Sequence, residues 1–96
     1  MSILSRETGI YKTKTLGWAD MVRGTWVRVR EIRAGEKFED ILFSPGMEKS
    51  IGRIFTIDDT IEECIFGESF HYVRLLDETG NPNQFMWHPG MLEPIY

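Results

Sequence analysis

An all-β domain, closed as a small five-stranded barrel, is what this sequence predicts, and three observations carry that prediction. Residues 25–32 alternate apolar and charged side chains with a period of two. Other short β-rich runs follow, each bounded by glycine, proline, asparagine or aspartate. The chain then ends in an unusually apolar stretch, Phe85 to Ile95, broken by Pro89-Gly90. Period-two alternation marks a half-buried strand. Closing a small sheet removes the exposed edges that short strands would otherwise leave.

The elements follow in order. Residues 1–24 read as an N-terminal extension: a polar arm to residue 16, part of it pinned by Ile10, Tyr11 and Leu16, then either one helical turn or an irregular lead-in between Gly17 and Gly24. Termini are loosely held unless apolar residues tie them down. The barrel is expected over 25–96. Its first strand is Thr25 to Ile32, with Val27 and Val29 facing inward and Arg28 and Arg30 outward. Residues 33–50 form a long first loop. Its Phe38, Ile41, Leu42 and Phe43 argue that it folds back on the body, and Ser44-Pro45-Gly46 supplies a turn. A second strand runs from Ile51 to Asp59, with Gly52 allowing a bulge.

Residues 60–69 fit either a short helical turn or a loop. Thr60 with Glu63 three residues on resembles a capping box, and Gly67 stops any helix early. Phe70 to Asp77 is the third strand, Glu78 to Asn83 a hairpin loop, Gln84 to Trp87 the fourth strand and Met91 to Ile95 the fifth. Trp87 to Ile95 is expected to be the seam that shuts the barrel. Trp87, Leu92 and Ile95 would then be inside, with Trp18 and Trp26 partly exposed.

Length and composition bound the function. Ninety-six residues make one domain, and 42% hydrophobic with 27% charged residues is ordinary for a globular protein. A lone cysteine, Cys64, cannot form an internal disulfide, which predicts a reducing compartment. The first residues lack the apolar run of a secretory signal, and no stretch reaches the length of a membrane span. A cytoplasmic location is therefore expected. The net charge of −4 is unevenly spread: residues 1–37 carry eight basic and four acidic groups, whereas 38–96 carry three and eleven. Such a division marks either a polarised binding face or two halves that neutralise each other when folded.

Candidate chemistry is sparse. Cys64, His71 and His88 lack the paired spacing of a metal site. Cys64 lies next to Glu63, and an acidic neighbour lowers thiolate content, which argues against a nucleophile paired with His71. The doublets Glu39-Asp40, Asp58-Asp59 and Glu62-Glu63 match no calcium loop and read as solvated carboxylates. No phosphate-cradling glycine loop or nucleophile elbow is present. The expectation is a protein that is not an enzyme and that needs no cofactor and no metal.

Three stretches carry a resemblance. Gly46 to Ile54, then Tyr72-Val73-Arg74-Leu75, then Trp87 to Ile95, resemble the small SH3-like barrel repeats of the mind-bomb type and their Mib-Herc2 relatives. The Val27–Val29 strand, the Ser50–Ile54 strand and the Leu92-Glu93-Pro94 ending occupy the matching places, so the likeness spans about residues 25–95. It differs in standing as a single module, in its lead, and in the insert from Asp77 to Asn83. The short chain also looks like a small accessory protein of a bacterial virus.

The resemblance implies an aromatic groove beside the long loop and the last turn. The residues expected to bind a partner are Trp26, Arg28, Arg30, Phe38, Phe43, Tyr72 and Pro89. The partner expected is a basic or proline-containing peptide, or a larger surface of a host protein that the module would modulate. A second reading is a nucleic-acid-binding barrel that uses the basic N-terminal half, with Trp26, Arg28 and Arg30 interleaving stacking and phosphate contacts. A third is a structural subunit that docks on a copy of itself.

Overall fold

The computed structural model describes residues 16–95, so the expected arm over residues 1–15 lies outside the described residues. Residues 16–24 are held on the body. Leu16 and Met21 are buried in the core, and Trp18–Asp20 form a 3-10 turn.

The fold is all-β. Among the described residues the strands are β1 (Trp26–Val29), β2 (Lys37–Phe38), β3 (Ile41–Leu42), β4 (Ile54–Ile65), β5 (Glu68–Leu76) and β6 (Leu92–Pro94). Two further 3-10 turns cover Pro45–Ser50 and Pro89–Met91. One sheet has the order β5-β4-β1-β6, and β2 and β3 make a separate two-stranded ladder. Every pairing is antiparallel.

β1 follows from its sequence directly. Val27 and Val29 are buried and Trp26, Arg28 and Arg30 are exposed, as the alternation predicts. Val27 pairs with Phe55 on one side and Pro94 on the other, so β1 is the centre that ties the long hairpin to the end of the chain.

Three expectations are corrected. First, the sheets are not closed into a barrel. The four-stranded sheet and the β2–β3 ladder are separate hydrogen-bonded units. Second, residues 60–69 are neither helix nor loop. β4 continues to Ile65 and turns through Phe66-Gly67 into β5. Asp58-Asp59 therefore does not end the strand. The register shifts between Ile57, opposite Leu75, and Asp59, opposite Arg74, which is a β-bulge. Cross-strand pairing from Thr60–Val73 to Ile65–Glu68 outweighs the local capping pattern. Third, Gln84–Trp87 is not a strand. Trp87 exchanges backbone hydrogen bonds with Val73 as an isolated bridge, and the Phe85 N–H is taken by the Asn83 side chain instead of a neighbouring strand.

The core centres on Trp87, which is 0% exposed and packs on the rings of Phe43, Phe55 and Phe85. Val27, Val29, Ile57, Val73, Leu75 and Leu92 belong to the same buried cluster. Leu92 is buried as the closing seam requires, whereas Ile95 is only partly covered.

Candidate binding surface

The long first loop is laced to itself. The Gly35 N–H donates to the Phe43 carbonyl and the Phe43 N–H to the Glu36 carbonyl, each at 2.8 Å. Between them β2 and β3 form a tight hairpin, with Phe38 opposite Ile41. Its turn places Glu39 in the left-handed region, at φ 55°. This hairpin divides two features: Asp40 lines a groove, and Glu39 reaches His88.

The groove encloses about 290 Å³. Asp40, Ile41 and Leu42 supply one wall and Met47 part of the floor, while Phe70 of β5 and Phe85-Met86 supply the other side. Leu42 is 50% exposed and Met86 43%, so apolar surface stands open to solvent here. The far wall is fixed in place. The Phe85 N–H donates to Asn83 Oδ1 at 2.9 Å, and its ring meets Trp87 edge-on at 85°. Gly46 leaves room for it, since a Cβ there would lie 3.0 Å from Phe85 Cζ. Asp40 provides the one formal charge of the lining. The arrangement suits an apolar side chain whose neighbour is cationic or a hydrogen-bond donor.

Across the hairpin, Trp18 lies between two imidazoles, its ring centroid 5.5 Å from that of His71 and 5.3 Å from that of His88. Phe38 stands 5.8 Å from His88 on another side. His88 Nδ1 accepts the Gly90 N–H at 2.9 Å, so in the neutral ring Nε2 carries the proton. Nε2 lies 3.2 Å from Glu39 Oε1 but is not aligned for a hydrogen bond. Trp18, Thr60 and His71 border a second cavity of about 420 Å³.

The residues expected to bind a partner do not form one groove. Phe43 is fully buried, and Tyr72 and Pro89 are buried too. These three fill the interior, because a domain this small has few other large side chains for its core, and they present no surface to a ligand. Phe38 is half-buried in the imidazole cluster. Trp26, Arg28 and Arg30 lie on the outer face of the four-stranded sheet. There Trp26 is 54% exposed, Arg28 Nε pairs with Glu93 Oε2 at 2.7 Å, and Arg30 donates to the Gly90 carbonyl. Leu42, Phe70, Phe85 and Met86 were not expected as lining. One signal did point to them: Phe85-Met86-Trp87 is an apolar run without alternation, so burying Trp87 leaves its neighbour Met86 outside.

Among the described residues, no group of three His, Cys, Asp or Glu side chains converges as a metal site, and Cys64 is a free, exposed thiol. No helix among them is long and apolar enough to cross a membrane. Comparison with protein-family models, with curated proteins and with solved structures finds no match.

Proposed function

We propose that this chain is a non-catalytic binding module of the SH3-like type, which takes a segment of a protein or peptide partner in the groove beside the β2–β3 hairpin. The observation that carries the reading is the groove itself: open apolar side chains, Leu42 and Met86, set against the fixed ring of Phe85 and the carboxylate of Asp40. A preformed wall lowers the ordering cost of binding, and an apolar floor with one charge at its rim fixes orientation. The ligand is a peptide with an apolar anchor next to a basic residue. The SH3-like reading draws support from the strand order β5-β4-β1-β6, from Trp87 beside β5, and from the 3-10 turn that leads into β6.

A second reading, nucleic-acid binding by the outer face of β1, is favoured by the exposure of Trp26 beside Arg28 and Arg30. Weighing against it, Glu93 pairs with Arg28 and offsets part of the charge of this face. One experiment separates the two. The immobilised chain is used to capture partners from lysate with and without nuclease, alongside a Leu42→Lys/Met86→Lys variant and an Arg28→Glu/Arg30→Glu variant. A captured protein that survives nuclease and is lost only with the groove variant supports the peptide reading. Capture that vanishes with nuclease and with the arginine variant replaces it with the nucleic-acid reading. Steep weakening with salt accompanies the second outcome only.

A further inference from the structure

The outer end of the β4–β5 hairpin has no role in the groove. Its two-residue turn places Phe66 at φ 51° and Gly67 at φ 81°, and Phe66 is 101% exposed. Glycine and asparagine occupy left-handed turn positions readily, whereas a bulky side chain there is strained. Ile65 beside it is also exposed. From Thr60 to Phe70 the chain carries three carboxylates (Glu62, Glu63 and Glu68) and neither lysine nor arginine, whereas Asp58, further back on β4, is paired with Arg23. Glu62, Glu63 and Glu68, which flank the tip, are all exposed. A strained apolar knob ringed by carboxylates fits a receptor with an apolar centre and a cationic rim. Anionic membranes and phosphate backbones have the wrong sign.

The chain displays such a receptor itself. On the outer face of the sheet, Arg28 pairs with Ile54 and Trp26 with Thr56, which puts Trp26 and Ile54 on one face, both exposed. Arg28 and Arg30 stand beside them, with Glu93 offsetting part of that charge. We propose that the Phe66 tip of one copy docks on the Trp26–Ile54 face of a second copy. A single molecule cannot close this contact on itself. Ile54 begins and Ile65 ends the twelve-residue β4, so the tip and the face lie roughly 36 Å apart along that strand. Because the two surfaces differ, the contact is head-to-tail, and each added copy leaves one free tip and one free face, giving open chains or rings.

Sedimentation equilibrium tests this in a Cys64→Ser background with reductant, which removes disulfide linkage through the exposed thiol. The average mass is expected to rise with protein concentration and to fall with added salt. Phe66→Asp, and separately Trp26→Asp/Ile54→Asp, are expected to be monomeric. An equimolar mixture of the two is expected to stop at a dimer, because it contains one working tip and one working face. Phe66→Asn, which suits the turn, keeps the fold and also loses association, so misfolding does not mimic the result. The Leu42→Lys/Met86→Lys groove variant is expected to associate like the wild type, which separates this contact from the groove. A wild-type chain that stays monomeric up to about millimolar concentration, or association that survives Phe66→Asp, overturns the proposal. In either case the tip serves another partner or none.

Discussion

The buried indole N–H of Trp87 donates to Asn83 Oδ1 across 3.1 Å, and the same oxygen accepts the Phe85 backbone N–H at 2.9 Å. One amide therefore satisfies the largest side chain of the core and fixes the ring that walls the groove. Asn83→Ala leaves a buried donor unpaired, which costs about 1–3 kcal/mol. Asn83→Asp keeps the acceptor and is expected to lose less. Urea denaturation at constant m-value measures both, and an alanine variant as stable as the wild type would show that water replaces the amide.

Gly90 ties the last 3-10 turn to the imidazole cluster. A Cβ at this position would fall 2.9 Å from Phe38 Cδ2 and 3.1 Å from His88 Nδ1. The His88 ring does not move freely, since it accepts the Gly90 N–H and faces Trp18 edge-on. Gly90→Ala is expected to destabilise the chain by about 1–3 kcal/mol, the usual cost of overpacking, and to shift the ring resonances of Phe38 and His88. A variant with unchanged spectra would mean that the turn, not the rings, gives way.

These two positions also show how much was legible beforehand. β1 was readable because one face is buried and one is wet, so its chemistry alternates. The outer half of the β4–β5 hairpin, residues 60–69, was not, for a local reason and a distant one. Thr60-Ile61-Glu62-Glu63 carries a helix-start pattern, and Phe-Gly is an uncommon pair for a two-residue hairpin turn. The pairing that overrides both comes from β5, which local pattern cannot see. The same limit applies to the site. Phe43, Tyr72 and Pro89 have the composition of a recognition surface and the burial of a core, and composition is identical in the two cases. Asn83 read as a turn residue, because nothing in its neighbourhood announces a partner four residues on.

Asp77 organises the loop between β5 and Trp87, and it makes that loop sensitive to acid. Its Oδ1 accepts from the Thr79 hydroxyl at 2.6 Å and from the backbone N–H groups of Thr79 at 2.9 Å and Asn81 at 3.0 Å. The Thr79 hydroxyl, then the Asn81 N–H, hold the carboxyl below its ordinary value of 3.8, with the charge of Arg53 adding to them. A depressed folded-state value means that the unfolded chain binds the proton more readily. The stabilisation is therefore complete above 3.8 and is lost as pH falls below it through the folded value. The gap in melting temperature between wild type and Asp77→Ala is expected to be flat at neutral and mildly acidic pH and to close only in stronger acid. A gap that closes near neutrality would assign the effect to another group.

Phe66 is where stability and association are expected to part. In the left-handed region a non-glycine residue costs about 1–2 kcal/mol, and asparagine pays least because its short polar side chain bonds locally. Phe66→Asn is therefore expected to stabilise the chain by about 1 kcal/mol, read as a higher denaturation midpoint. No packing is lost, since the phenyl ring is fully exposed and touches nothing that could be left open. If the ring docks on the Trp26–Ile54 face of another copy, the same substitution weakens association while it strengthens the fold. That opposite pair of signs distinguishes a residue kept for its contact from one that is merely tolerated. A destabilised Phe66→Asn would instead mean that the ring packs within its own hairpin, and the tip would then have no surface to offer.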